Sequence, residues 1–296
     1  MWGEVNSLKD DTAAPKVSVL IPVYNRQDYI GECIQSALEQ TFSDIEIIIV
    51  DNSSTDRTWE ICQEYRARDS RIRIFRNEEN MGPVFNWKKC IDLAAGKFGK
   101  VLFSDDLLHP ECIERMLHPM EAEDIAFVYS SVELIGLEAS KLLYYRKRSG
   151  KYSYQSFFWS SFFDIGPPTT PVSPCAALFR LKDMKHGLLT DIPSSFNDFS
   201  RHGAGPDLLL FYFALLNYPA YYYIAEPLVK FRYHDKAITV SSKDIINDRY
   251  IQAKLWFAKE YLPLWMGRAY LVFEWFRHLK DKGFVNFSEF KEKYES

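Results

Sequence analysis

Lys100-Val101-Leu102-Phe103-Ser104-Asp105-Asp106 reads as a short buried strand that runs without a break into two adjacent carboxylates. An apolar run with no polar alternation suits a strand covered on both faces, as in a parallel sheet. Acids at the carboxyl end of such a strand stand at the sheet edge, where the ligands of open α/β folds bind. A carboxylate pair there suits a hard divalent cation, because Mg²⁺ or Mn²⁺ takes oxygen ligands and is held by one or two carboxylates plus substrate phosphates. The same residues also suit a turn that caps a helix: Asp is a good N-cap, and Leu107-Leu108-His109-Pro110-Glu111 could open one.

Upstream, the chain alternates apolar runs with helical periodicity. Val17-Ser18-Val19-Leu20-Ile21 predicts a strand stopped by Pro22, with Tyr24-Asn25-Arg26 as its turn. From Gln27 to Gln40, Tyr29, Ile30, Cys33, Ile34, Ala37 and Leu38 recur at helical spacing. Ile45 to Val50 predicts a second strand, ending at Asp51-Asn52-Ser53-Ser54-Thr55-Asp56 ahead of a helix striped by Trp59, Cys62 and Tyr65. Ile72-Arg73-Ile74-Phe75 predicts a third, ending at Arg76-Asn77-Glu78-Glu79-Asn80. Gly82-Pro83 then opens a helix to Ala95, with Pro in the tolerated first turn, and Val101 to Ser104 is the fourth strand. Such repeats predict right-handed crossovers and a parallel sheet. The turns at Pro22 to Asn25, Asp51, Asn77 to Asn80 and Asp105-Asp106 then gather along one edge, as a pocket for a hydroxyl-rich, metal-bound ligand. Neither a G-x-G-x-x-G nor a Walker lysine loop comes after the first strand, which argues against a dinucleotide dehydrogenase and a P-loop NTPase.

Composition bounds the rest. The 296 residues suit one large domain with an extension or two small ones, and 47% hydrophobic with 26% charged residues is globular. A net charge of −4 gives no general attraction to nucleic acid, so none is expected as a partner. Five scattered cysteines without a C-x-x-C suit reduced thiols in the core. Met1 to Lys16 lacks the apolar segment of a signal peptide, and no apolar run reaches the ~18 residues of a spanning helix. A cytoplasmic protein is expected.

Val17-Ser18-Val19-Leu20-Ile21-Pro22-Val23-Tyr24-Asn25, Ile49-Val50-Asp51-Asn52-Ser53-Ser54-Thr55-Asp56, Asn80-Met81-Gly82 and Ser104-Asp105-Asp106, in that order, resemble the successive signatures of the family 2 nucleotide-sugar glycosyltransferases with the GT-A fold. The resemblance covers about residues 16 to 235. It implies a Rossmann-like, mostly parallel sheet with flanking helices. It also implies a donor site formed by Pro22, Tyr24, Asn25, Asp51, Asn80, Gly82, Lys88 and Asp105, with Asp51 recognising the base or ribose. Asp106 matches the carboxylate that holds Mn²⁺ or Mg²⁺ on the diphosphate. Two departures thin the acidic cluster: Phe103 stands where many members carry an acid, and Asn52 where a second Asp is common.

In the second half, Asp124 to Val132 is strand-like, and Lys141, Arg146, Lys147, Arg148 and Lys151 form a basic stretch read as a solvated loop. Gly166 to Pro174 is a loop leading to a buried strand at Cys175 to Arg180. Asp207 opens the apolar helix Leu208 to Leu216. It is either a cap and dipole partner or, by resemblance, the catalytic acid of the family. Ala225 to His234 is a closing strand. His234 is either a third metal ligand, as in several relatives, or an ordinary surface histidine. From about Ile238 there are two aromatic-rich helices, Asp244 to Tyr261 and Leu264 to Lys282. They either pack on their own domain or on a second copy in a homodimer, which is the preferred reading, or lie in a membrane interface. The expected layout is a flexible tail over 1–15, a glycosyltransferase domain over 16–238 and a helical extension over 239–296. The expected function is metal-dependent, inverting transfer from a nucleotide-diphosphate sugar, of the UDP class, to a saccharide acceptor, lipid-linked in the membrane variant, for surface polysaccharide. A sugar-1-phosphate nucleotidyltransferase and a non-catalytic nucleotide-sugar-binding module are the alternatives.

Overall fold

β1 (Val17–Val23), α1 (Ile30–Leu38), β2 (Ile45–Asp51), α2 (Thr58–Arg68), β3 (Ile72–Arg76), α3 (Pro83–Leu93) and β4 (Phe98–Val101) succeed one another as the apolar runs predict. The computed structural model describes residues 14–163, 169–194, 198–234 and 243–295. β1 pairs in parallel with β2 and β4, and β2 with β3. Every residue of β1 and β2 is buried, as their unbroken β-branched runs require of strands with helices on both faces. Side-chain alternation divides the core: Leu20, Ile48 and Val50 enter one apolar cluster, and Val19, Ile21, Ile47 and Ile49 the other. β1 does not stop at Pro22 but runs on to Val23. The β4 ladder ends at Leu20, so only β2 still flanks the proline, whose missing N–H costs little there.

The chain then departs from simple repetition. β4 ends at Val101 rather than Ser104: Leu102 N–H still reaches Leu20 O at 2.9 Å, but Asp106 N–H closes a turn on Phe103 O at 2.9 Å. The turn leads into β5 (Leu107–Leu108), and the helix there begins only at α4 (Cys112–Met120). The acids therefore cap no helix. After these come β6 (Ile125–Ile135), β7 (Lys141–Leu143), β8 (Gly150–Ser153), α5 (Tyr154–Phe163), β9 (Ala177–Arg180), α6 (Leu181–Gly187), α7 (Pro206–Asn217) and β10 (Ala220–Arg232). The sheet order is β3-β2-β1-β4-β9-β6-β10-β5, with β7 on β6 and β8 on β10. β9 is antiparallel to both β4 and β6, while β6 and β10 are parallel. The basic stretch is largely exposed, with Arg146 over the Tyr152 ring and Lys151 paired with Asp124. Part of the Gly166 to Pro174 loop lies outside the described residues.

The aromatic excess fills one face of the sheet. Phe127, Phe157, Phe179, Phe211 and Tyr221 pack edge and face against one another. The C-terminal helices α8 (Lys243–Tyr261), α9 (Leu264–Lys282) and α10 (Phe287–Glu295) extend this layer. Phe257 of α8 meets Phe158, Tyr212 and Phe213, and Tyr270 of α9 meets Phe162 and Phe163. The inner face of the extension thus packs on its own domain. The boundary expected at 238/239 lies outside the described residues. Among those residues no helix is long and apolar enough to cross a membrane, and the five cysteines are free and buried.

Candidate active site

Parallel strands end at a common edge, so the turns after β1, β2 and β3 and the turn after β4 lie side by side. The first two are zipped together. Asn25 N–H donates to Ser54 Oγ (2.9 Å), Thr55 N–H to Asn25 Oδ1 (2.8 Å) and Arg26 N–H to Thr58 Oγ1 (2.8 Å). Asn25 and Ser53 hold φ at 50° and 64°, a left-handed backbone that side chains resist and that here keeps both turns tight. Pro22 is buried beneath them, and the ring of Tyr24 stands exposed at the rim. Asp51 is wholly buried. Its carboxylate accepts from the backbone and hydroxyl of Ser54 and pairs with Arg76 Nε at 3.1 Å. Burial raises its pKa against those partners. The more open groups above it are the Arg76 guanidinium and the Trp59 ring, 5.4 Å apart.

Asn52 explains one departure from the family pattern. Its Nδ2 donates to Asn80 Oδ1 (2.7 Å) and Gly82 O (3.2 Å), while its Oδ1 accepts from Asn77 Nδ2 (2.8 Å) and Met81 N–H (3.0 Å). Aspartate accepts but cannot donate, so only an amide ties down the third turn. Asn52→Asp is accordingly expected to lower stability by about 1–3 kcal/mol through stranded partners; an unchanged urea midpoint would refute the network's importance. Gly82, at φ 83°, lets this turn approach Ser200, whose carbonyl a Cβ would meet at 3.2 Å. Lys88 does not face these turns: it pairs with Asp92 at 2.7 Å and reaches Lys185 O at 3.4 Å. The adjacent Lys89 does, donating to Asn77 Oδ1 at 2.7 Å.

At the fourth turn the two acids differ. Asp106 is 6% exposed; its Oδ1 accepts Arg232 N–H at 3.0 Å, and the Cys175 thiol is also hydrogen-bonded to it. Burial, then the charge of Asp105, pushes its pKa well above the usual carboxylate range, opposed in part by the buried Lys100 ammonium. Asp105 is more open, and its Oδ2 meets His234 Nε2 at 3.0 Å and Arg26 Nε at 3.3 Å. Arg232 adds a bond to Asp105 O (3.1 Å) and lies over the Tyr29 ring, which stacks on His234 at 4.8 Å. β5 pairing with β10 joins these distant residues, because it places the end of β10 beside the turn. Asp105 Oδ2 and His234 Nε2, hydrogen-bonded at 3.0 Å, are an oxygen and a nitrogen donor that would suit a divalent cation. No group of three or more His, Cys, Asp or Glu able to hold a metal occurs among the described residues. A cation here would take its remaining ligands from substrate and water, as Mg²⁺ commonly does.

Asp207 is buried in the first turn of α7. Its Oδ1 accepts from Gly205 N–H (2.9 Å) and Leu208 N–H (2.7 Å), and its Oδ2 from Tyr250 Oη–H (2.7 Å). Burial raises its pKa to about 7. Gly205, at φ 110°, is required where the chain doubles back to present it. Trp87 packs between the two segments: its ring stands 5.2 Å from that of Phe103, and its far edge fills the space a Cβ on Gly203 would occupy. Phe103 is thus an aromatic wall in place of an acid.

A family profile described as Glycosyl transferase family 2 matches residues 18–187, more than half of the chain. This chain is a family 2 glycosyltransferase. It is 36% identical over 128 residues to the putative teichuronic acid biosynthesis glycosyltransferase TuaG of Bacillus subtilis, covering 43% of this chain and 51% of that one. It is 39% identical over 115 residues to a UDP-Glc:alpha-D-GlcNAc-diphosphoundecaprenol beta-1,3-glucosyltransferase, WfaP of Escherichia coli, covering 39% and 45%. The chain therefore spans about half the length of these relatives. The S. aureus TarS 1-349 structure in complex with UDP-GlcNAc superposes with a TM-score of 0.68 at 18% identity, over 90% of this chain and 73% of that one. That likeness shows the GT-A glycosyltransferase fold.

The profile takes in the turns after β1, β2 and β3 and both aspartates of the fourth turn, while Asp207 and His234 lie beyond it. Sequence reasoning missed Lys89, Trp87 and Tyr250 of this glycosyltransferase. Arg26 and Arg232 were visible as a turn residue and a strand residue, but only the fold shows that both reach Asp105.

Proposed function

We propose that this glycosyltransferase transfers the sugar of a nucleotide diphosphate, of the UDP class, with inversion to a hydroxyl of a saccharide acceptor in surface polysaccharide synthesis. The observation that carries the reading is the presence together of the Asp105–His234 corner at the fourth turn and the buried carboxylate of Asp207 at the head of α7. The donor's nucleoside lies over the turns held by Asn25, Asp51 and Asn52, with Tyr24, Asn80 and Gly82 at their rim, and its diphosphate points to the fourth turn. Arg26 and Lys89 are cations on that path. The acceptor oxygen bonds to the anomeric carbon while its proton passes to Asp207. The bond from that carbon to the diphosphate oxygen breaks, and its electron pair leaves with the diphosphate. Asp105 and His234 would hold Mn²⁺ or Mg²⁺, which neutralises the charge growing on the leaving group. Family membership displaces the nucleotidyltransferase alternative.

A panel of UDP-, GDP- and TDP-sugars, each with and without metal, tests the reading. Metal-dependent release of UDP from a UDP-sugar is expected, and failure of every donor to release its nucleoside diphosphate would overturn it. An imidazole beside a carboxylate suits Mn²⁺ better than Mg²⁺, which prefers oxygen ligands. Mn²⁺ should therefore give the lower half-saturating concentration; the reverse order would remove His234 from the metal.

The acceptor named for WfaP is lipid-linked, and the outer face of α9 suits such an acceptor here. Leu264, Arg268, Val272, Phe276 and Lys280 repeat every four residues and are all exposed, with Trp265 beside them. Arg277 pairs instead with buried Glu274 at 2.7 Å. Peripheral contact with an anionic bilayer at the inner membrane face is the consequence of this basic, aromatic stripe. Reversing Arg268 and Lys280 to Glu should weaken sedimentation with anionic vesicles at least ~10-fold. Unchanged partitioning, with a shift in oligomer size, would point to a second copy of the chain instead.

A further inference from the structure

Tyr250 sits on α8, beyond the segment in which the family signatures fall, yet its hydroxyl donates to Asp207 Oδ2 at 2.7 Å. Oδ1 is occupied by two backbone N–H groups. A carboxylate has about four lone-pair sites, so the sites left for an incoming hydroxyl lie chiefly on Oδ2. An Asp χ2 torsion is soft. The phenol therefore fixes the direction of Oδ2, and α8 is placed to hold it. Its Ala253 packs against the loop that presents the carboxylate, standing 3.3 Å from where a Cβ on Gly205 would lie. Ile251, Ala253 and Leu255 of α8 are buried on either side.

We infer that Tyr250 is a positioning residue of the transfer step: its hydroxyl holds Oδ2 of Asp207 so that the remaining lone pair faces the acceptor hydroxyl. The inference rests on the reading of Asp207 as the base. It makes α8 part of the active site, so the C-terminal extension supplies a group to the chemistry as well as a packing surface.

The other titratable groups around the carboxylate are few. Tyr144, between β7 and β8, faces it with φ at 56° and an acidity suppressed chiefly by burial and also by the charge of Asp207. Tyr250 is likewise pushed up, by burial first and then by Asp207, so the phenol stays protonated and donates. His202, in the loop before α7, is held low by burial and by Arg249 of α8. A donor to the ionised form of an acid lowers its pKa. Removing the Tyr250 hydroxyl must then raise the pKa of Asp207, and an enzyme that needs the ionised base loses rate first on the acid side.

Tyr250→Phe keeps the ring, and with it the packing of α8. The expected result, once a donor and acceptor pair is in hand, is a kcat profile whose acid limb moves to higher pH by roughly one unit. At pH 7 kcat should be about fivefold lower, approaching tenfold on the acid side, where one pKa unit is fully expressed as a rate, and it should recover at alkaline pH with KM for the donor unchanged. A limb at its wild-type position, or a loss equal at every pH with a lower Tm, would overturn the inference. Asp207→Asn assayed alongside separates the two claims: if it retains turnover, the base assignment itself has failed. If it is inactive while Tyr250→Phe keeps the wild-type limb, only the role of Tyr250 has failed.

Discussion

Asp207→Asn is expected to lose transfer by at least ~100-fold, within the range seen when a general base is removed, with donor affinity unchanged. The asparagine oxygen can still accept the Gly205 and Leu208 N–H groups that hold Oδ1, so the loop keeps its shape. The proton acceptor disappears, and the Tyr250 hydroxyl then accepts from the amide instead of donating to Oδ2. The same substitution has a stability signature. The native pKa of Asp207, about 7, lies above the ~4 of an unfolded aspartate. The native state therefore binds more protons between those values, and the group's contribution to stability is lost as pH rises from about 4 to 7. Asparagine does not titrate, so the variant should be as stable as wild type near pH 4 and more stable at pH 8, by up to about 4 kcal/mol. Turnover near wild type would place the base elsewhere. A lower Tm at pH 8 would return Asp207 to a purely structural part, holding the Gly205 and Leu208 N–H groups at the start of α7.

Much of the fold could be read because local signals agree with it. The β-branched runs at Val17, Ile45 and Ile72 could only be covered parallel strands once helical stripes were found between them, and the order β3-β2-β1-β4 is the result. The second half was harder. β9 enters antiparallel between β4 and β6, and no periodicity in Ala177-Leu178-Phe179-Arg180 encodes direction; that comes from a long-range pairing. The site divides in the same way. The clustering of Asn25, Asp51, Asn80 and Gly82 came from strand ends sharing an edge. Lys88 and Lys89 are neighbours on one helix, and only the helix's rotation on the sheet decides that Lys89 meets Asn77 while Lys88 meets Asp92. Tyr250 carried no signal, because its partner is 43 residues away and its helix reads as packing.

The adjacent acids of the fourth turn look equivalent in sequence and differ in burial in the structure, and the proposed function assigns the metal to Asp105 rather than to the expected Asp106. Asp106 faces inward: the Arg232 N–H and the Cys175 thiol bond to it, and Lys100 lies nearby in the buried core. Replacing it with Ala strands the Arg232 N–H, while the buried Lys100 keeps its bond to Cys175 O. Asp106→Ala should therefore cost about 1–3 kcal/mol from the lost hydrogen bonds, seen as a lower urea midpoint. Asp105 faces the pocket, with His234 at 3.0 Å and Arg26 at 3.3 Å. Partly exposed ion pairs of this kind contribute about 0–1 kcal/mol, so Asp105→Ala should leave Tm nearly unchanged. Its effect should fall on the donor: with one of two protein ligands gone, metal-stimulated binding of UDP should drop at least ~100-fold, beyond the 10–100-fold typical of supporting residues. His234→Ala should reproduce that loss in part, and binding of uridine alone, which carries no diphosphate, should be indifferent to both. Isothermal titration with and without Mn²⁺ separates the cases. Metal-dependent UDP binding that survives Asp105→Ala but vanishes in a folded Asp106→Ala would put the cation on the inner acid, and with it the deeper of the two carboxylates in charge of the diphosphate.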